Sequence, residues 1–222
     1  GDYQITNFKM SNQYTKFSYD YKNNHYNIQT PLLGKYNVYN LLVTIIVLLE
    51  EGFTYEEVNN LIKDLRAPSG RMESISYKTN SIIVDYAHTP DAMSKIINTM
   101  LEVTEGNVYV VFGCTGDRDR TKRHIMSDIA CSLSKYVIMT HDDPHYEDQD
   151  QIFNDMTKDL NKTNYEIVND RKDAIIKGIN MLKEKDTLLI LGKGHEEYIL
   201  KNGEKIPFND LKVAIEYINN LI

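Results

Sequence analysis

Cysteine is scarce. Only Cys114 and Cys131 occur in 222 residues, too few for a disulfide scaffold, so a reducing cytosol is the expected compartment. Cations are outnumbered, 25 Lys plus Arg against 32 Asp plus Glu, for a net charge of −7. Binding a polyanion needs a basic surface, so no nucleic-acid partner is expected, although local basic clusters can hold a small anion. Long apolar runs are missing too. The longest, Leu41 to Leu49, is interrupted by Thr44 and falls short of the ~20 residues that cross a bilayer. It reads as a buried helix, with no membrane insertion. The polar first residues carry no signal-peptide pattern. No Gly-rich loop closes with Gly-Lys-Ser/Thr, so the phosphate-binding P-loop pattern is absent. What is present, 41% hydrophobic and 26% charged residues, suits an ordered chain with a real core. A cytoplasmic monomer is the expectation.

Residues 1–31 read as two or three short strands, with a hairpin turn at Lys22–Asn24. An apolar helix is predicted over 35–50. A second is predicted over 54–65, with Thr54 as N-cap, Glu57 three residues on, and Val58, Leu61, Ile62 and Leu65 as its stripe. The run Ala67-Pro68-Ser69-Gly70 breaks the pattern and places a domain boundary near residue 68. From there strands and helices alternate. Strands are predicted over 81–85, 108–112, 136–140, 165–168 and 187–191. Helices are predicted after Thr89-Pro90, with Met93, Ile96, Ile97 and Met100 inward, then with Ile125, Ile129 and Leu133 inward. Further helices are predicted over 152–160, after Asp170 with Ile175, Ile179 and Leu182 inward, and from about Asn209. Such alternation with short connections implies an α/β fold, a mostly parallel Rossmann-like sheet covered on both faces.

Ligands of parallel sheets bind beyond the carboxyl ends of the strands. Four polar clusters follow strands here: Asp85 to His88, Gly113 to Arg120, Thr140 to Asp148 and Gly192 to Glu196. The second opens a helix, whose amides favour an anion, and Arg118 offers a planar fork for a carboxylate. On this loop alone, a tight turn with surface charges is an equal reading. Gly192-Lys193-Gly194-His195-Glu196 permits close backbone approach, but alone reads more readily as a turn into a hairpin strand at 198–200. Asp142-Asp143-Pro144-His145 can hold a metal or a cationic amine, and alone reads as an Asx-type turn. Asp85 with His88 alone reads as a structural pair.

Taken together the loops are specific. Gly70-Arg71-Met72-Glu73, then Val84 to Asp91, then Phe112 to Asp119, then Gly192 to Glu196, with Asn37-Val38-Tyr39-Asn40 upstream, resemble the MurE ligases. These add the third amino acid of the peptidoglycan stem. The resemblance implies that residues 1–68 are the β/α tail of a central ATPase domain and 69–222 the C-terminal amino-acid-binding domain. It also implies that a UDP-sugar domain and the phosphate loop lie outside this sequence. The chain by itself is therefore expected neither to hydrolyse ATP nor to form an amide.

In that family ATP phosphorylates the muramoyl-dipeptide carboxylate, and the amine of the incoming amino acid attacks the acyl phosphate. The resemblance implies ATP and Mg2+ as cofactors, held mostly by the part outside this sequence, and UDP-MurNAc-dipeptide and an amino acid as substrates. It assigns Asn37, Asn40, Arg71, Asp85 and His88 to the nucleotide. It assigns Arg118, Asp142, Asp143, His145, Gly192 and Glu196 to the amino acid, with no metal ligand among them. Where the family often has Asp-Asn-Pro-Arg, this chain has Asp143 for Asn and His145 for Arg. That arginine grips the second carboxylate of diaminopimelate, so the expected acceptor is a diamino acid with L-lysine leading. Glu196, Asp142 and Asp143 are expected to meet its side-chain ammonium. The competing expectations are a MurE paralogue, a ligase of the folylpolyglutamate or cyanophycin synthetase type, and a non-catalytic amino-acid-binding module.

Overall fold

Alternation of aromatic with polar side chains builds the first strands. The computed structural model describes residues 4–22 and 24–221, in two compact units, 1–68 and 69–222. In the first unit β1 (Gln4–Met10), β2 (Thr15–Tyr21) and β3 (Asn24–Thr30) form an antiparallel meander in that order. Tyr21 pairs with Asn24 across the expected hairpin turn, whose Asn23 lies outside the described residues, as do residues 1–3. Phe17, Tyr19, Tyr21 and Ile28 share a core with Val38, Leu41, Leu42 and Ile45 of α1 (Lys35–Glu50) and Val58 and Ile62 of α2 (Tyr55–Lys63). The capping box expected at Thr54 and Glu57 is formed. Leu61, expected inward, is 58% exposed, because the short helix buries only the narrow stripe through Val58 and Ile62.

The second unit is a six-stranded sheet ordered β4-β5-β9-β6-β7-β8. Its parallel strands are β5 (Asn80–Asp85), β6 (Val108–Phe112), β7 (Tyr136–Met139), β8 (Tyr165–Ile167) and β9 (Thr187–Leu191). β4 (Glu73–Tyr77) is an antiparallel edge strand; its polar Ser-Ile-Ser pattern carried no strand signal. The central strands are buried throughout, as the continuous Val/Ile/Leu runs of a doubly covered parallel sheet require. One face packs Ile82, Val111, Ile138 and Ile190 against Ala174, Ile175 and Ile179 of α6 (Arg171–Met181) and Ala214 and Ile218 of α7 (Asp210–Asn219). α3 (Pro90–Leu101) and α4 (Thr121–Leu133) pack on β6, β7 and β9 and on each other, and α5 (Gln149–Thr157) packs on α4. α5 begins and ends three residues before the expected 152–160, because the Asp148 side chain caps it through Gln151 N–H.

α4 differs from expectation in which face it buries. Ile125 is 40% exposed, while Arg123, Met126, Ser127, Ala130 and Cys131 are buried. A stripe drawn through apolar residues alone misses a face that contains a paired arginine. After β9 the chain makes a hairpin of β10 (Tyr198–Lys201) and β11 (Glu204–Pro207).

Pairing registers put Asp85, Leu191, Phe112 and Met139 in one row across the sheet. The four polar loops that follow these strands therefore leave side by side from one edge. We expect a chain starting at Ser69 to unfold in a single cooperative transition. Denaturant unfolding followed by circular dichroism and fluorescence checks this; a molten product would contradict the boundary at residue 68.

Candidate functional site

The four loops enclose a cleft of about 550 Å³. Seven of the expected site residues line it: His88, Arg118, Asp142, Asp143, His145, Gly192 and Glu196. Gly192 has φ 114°, and a Cβ there would lie 2.6 Å from the Asp142 carboxylate. Gly116 has even less room, since a Cβ would meet the Pro144 carbonyl at 2.0 Å. These two glycines let the loops touch.

Beneath the cleft lies a buried ionic network absent from the sequence-based expectation. Arg171 is fully buried and grips Asp210 with Nε and NH2 at 2.7 and 2.8 Å. It also donates to the carbonyls of His141 and Leu191 at 3.0 Å each, and Asp142 lies 3.8 Å away. Burial opposes its charge, but Asp210 outweighs burial, helped by Asp142 and Asp143, and the guanidinium is held more firmly protonated than usual. Lys193, also fully buried, donates to Asp143 Oδ1 at 2.7 Å and Glu196 Oε2 at 2.8 Å, with Asp142 at 3.9 Å. Burial again opposes the charge, and the Asp142, Asp143 and Glu196 carboxylates overcome it, raising the ammonium pKa.

This revises the expected role of the carboxylates. Asp142 and Asp143, expected to meet a substrate ammonium, are buried and already face the Lys193 ammonium. Asp143 Oδ1 also accepts from Leu200 N–H at 2.9 Å, and Asp142 Oδ1 accepts from Asp143 N–H at 2.7 Å. Asp142, Asp143 and Glu196 lie close enough to hold a divalent cation, but such an ion would have to displace Lys193. Lys193 stood in the quoted motif without a role; its place between two glycines was the only signal.

Arg118 is exposed at the rim of the cleft, and among the described residues it has no hydrogen-bond or ion-pair partner. Its loop differs from expectation at the helix start. Asp119 takes the Thr121 N–H at 3.0 Å and the Thr121 hydroxyl at 2.6 Å, so the chain's own carboxylate serves amides expected to hold an anion. His145 lies at φ 52°, with its N–H donating to Leu200 O of β10 at 3.1 Å and its carbonyl accepting from Asn202 N–H, just past that strand, at 2.7 Å. Cys114 lies at the floor, its thiol pushed up to about 12 by burial and by Asp142, with Arg123 opposing. A thiol in that state is no nucleophile.

The residues expected at the nucleotide are divided between the two units. Asn37 and Asn40 belong to the first unit, where Asn37 Nδ2 donates to Leu33 O at 2.6 Å and Asn40 is exposed on α1. In the second unit Arg71 lies over the Tyr86 ring, 5.2 Å from its centroid, and His88 Nδ1 contacts Tyr86 O at 2.8 Å. Asp85 accepts from Met72 and Ala87 N–H at 2.8 Å each. Its pKa is raised by burial, with those two amides and Arg71 opposing. Each Asp85 oxygen therefore holds one backbone N–H within the second unit.

A mostly parallel sheet whose strand-end loops gather a rim arginine and a Gly-Lys-Gly-His-Glu turn matches one family model. Residues 70–194 match "Mur ligase, glutamate ligase domain", and the chain belongs to that family. The chain is similar to UDP-N-acetylmuramoyl-L-alanyl-D-glutamate--2,6-diaminopimelate ligase 1 of Clostridium acetobutylicum, 37% identical over 99% of this chain and 46% of that protein. The ligase of the same name, without the numeral, from Rickettsia bellii is 41% identical over 94% of this chain and 44% of its own length. A solved structure of a 2,6-diaminopimelate ligase of this kind superposes with TM-score 0.80 at 33% identity, over all of this chain and 46% of that one. A folylpolyglutamate synthase from Thermotoga maritima, at 18% identity and TM-score 0.67 over 86% of this chain and 44% of that one, shares the fold. The chain spans less than half the length of these curated relatives. Among the described residues, no helix is long and apolar enough to cross a membrane.

Proposed function

We propose that this chain supplies the amino-acid-binding part of an ATP-dependent acid–amino-acid ligase. The ligase adds a diamino acid to UDP-MurNAc-L-Ala-D-Glu in peptidoglycan synthesis. One observation carries the reading: the charge layout of a single cleft. At the rim is the unpaired Arg118 fork. At the floor, two buried cations, Arg171 and Lys193, face four carboxylates, Asp142, Asp143, Glu196 and Asp210. A cationic rim over a net-negative floor suits a ligand with a carboxylate at one end and an extra ammonium at the other. Glu196, partly exposed, is the floor carboxylate placed to reach it. ATP and Mg2+ belong to the reaction, and Asn37, Asn40, Arg71, Asp85 and His88 are the side chains of this chain assigned to the nucleotide.

Diaminopimelate is the acceptor that the relatives' names support. The expectation of L-lysine rested on His145 in place of an arginine, on Glu196, Asp142 and Asp143 as partners of the side-chain ammonium, and on repulsion of a second carboxylate by Asp142, Asp143, Glu147 and Asp148; Lys193 faces the first three and Arg123 pairs with Glu147. His145 remains the one observation favouring lysine, since an imidazole is a weaker, non-bidentate partner for a second carboxylate. The test is the full-length gene product given UDP-MurNAc-L-Ala-D-Glu, ATP, Mg2+ and equal meso-diaminopimelate and L-lysine. Product mass should show the diaminopimelate adduct in excess. A lysine adduct in excess would restore the His145 reading, and no adduct with either would remove the proposal. Arg118→Ala should raise the half-saturating acceptor concentration about 10- to 100-fold, the loss of one charge-assisted contact of ~1.5–3 kcal/mol, with unchanged thermal stability. An unchanged acceptor dependence would leave Arg118 without this role.

A further inference from the structure

We propose that Glu147 is a positioning residue, one that holds the Arg118 guanidinium at the cleft rim and so sets affinity for the carboxylate end of the acceptor. The proposal rests on the amino-acid-binding reading of the cleft. Glu147 does not line the cleft. Its carboxylate, 5% exposed, is the node between the loop after β6 and the loop after β7. Arg123 grips it with two parallel bonds, NH1 to Oε1 at 2.8 Å and NH2 to Oε2 at 2.7 Å. Arg120 NH2 reaches Oε1 at 2.8 Å, and Asp117 N–H donates to Oε2 at 3.0 Å.

These ties flank Arg118 on both sides. Asp117 sits at φ 52°, a left-handed conformation that costs an L residue energy unless its surroundings enforce it. The Glu147 carboxylate enforces it from one side. Tyr146 N–H does so from the other, donating to Asp117 Oδ2 at 3.2 Å. Gly116 N–H is fixed to Asp143 O at 2.7 Å, Thr115 O accepts from Arg123 NH2 at 3.2 Å, and Asp119 is tied to Thr121. From Thr115 to Arg120, only the Arg118 side chain is left without a protein partner among the described residues. A fork displayed from an ordered loop binds a carboxylate without first losing loop entropy. Arg123 is 2% exposed, so the node is little screened by salt. The Arg123 hydrogen bond, against some burial, holds the Glu147 pKa down to about 2, keeping the node charged at any physiological pH.

A purely structural node would behave differently, because Arg123 also bonds Asp155 of α5 at 2.9 Å. The experiment titrates the chain, by amide NMR shifts, with two ligands. One is meso-diaminopimelate; the other is 1,5-diaminopentane, the same skeleton without either carboxylate. Glu147→Gln keeps the shape but turns an N–H donor toward Arg123. It should weaken diaminopimelate about tenfold and leave diaminopentane within about twofold. Combined with Arg118→Ala it should add nothing further, since both changes remove one contact. Asp155→Asn should lower stability without moving either affinity. If Glu147→Gln fails to fold, Arg120→Ala, which cuts only an exposed tie, should weaken diaminopimelate alone by a smaller factor. Equal weakening of both ligands, or additive effects with Arg118→Ala, would overturn the positioning role while leaving the cleft reading intact. A wild-type chain that binds neither ligand would instead overturn the reading itself, and the inference with it.

Discussion

Replacing Arg171 by Met is expected to destabilise the second unit by ~3–5 kcal/mol, the usual cost of stranding one member of a buried ion pair. Asp210, whose side chain is 0% exposed, would lose its only paired cation among the described residues, and the carbonyls of His141 and Leu191 would lose a donor. Those carbonyls stand where the chain leaves β7 and β9, so the change also frees the backbone that presents Asp142 and Gly192. Urea denaturation of the wild type and the variant measures the loss. The double variant Arg171→Met with Asp210→Leu should recover more than half of it, because a well-packed apolar pair can replace a buried ion pair at little cost. A loss below about 1 kcal/mol in the single variant would contradict the role given to this pair.

Lys193→Met should cost ~3 kcal/mol near neutral pH, a deficit that should narrow only in alkali, where the wild type loses this charge too. In the wild type the folded-state pKa of Lys193 is raised. Its charge therefore contributes stability that is fully present below the unfolded value and is lost only as pH rises through the folded one. Between neutral pH and mild acid that contribution is constant. In the variant, Asp142, Asp143 and Glu196 face one another without the ammonium, and calcium should restore stability, since the three carboxylates are then open to a divalent cation. Thermal melts with and without calcium, from neutral pH into alkali, decide it. A deficit that calcium leaves unchanged and that does not narrow in alkali would mean that Lys193 does not compensate these acids.

The meeting of the four polar loops was legible in the sequence, because parallel strands send every following loop to one edge. Asp85–His88, Gly113–Arg120, Thr140–Asp148 and Gly192–Glu196 each follow a strand, and they do meet. What was not legible is which charges are spent inside the protein. Asp143 meets Lys193 from 50 residues away, and Arg171 meets Asp210 from 39 residues away; no local pattern announces either pair. The same blindness turned α4. Its buried face holds Arg123 because Glu147 and Asp155 wait for it, whereas a stripe built on apolar residues chose Ile125. β4 escaped notice for a different reason: an edge strand buried on one side needs few apolar residues, and Glu73–Tyr77 supplies few.

The central claim is that this cleft binds an amino acid carrying a second amine. The direct measurement is a titration of the 222-residue chain with meso-diaminopimelate and with L-lysine, followed by backbone amide NMR. Shifts should concentrate in Gly113–Arg118, Asp142–His145 and Gly192–Glu196, and should vanish in Arg118→Ala at the same ligand concentrations. No shifts with either amino acid, or shifts confined to the sheet and helices of the first unit, would contradict it.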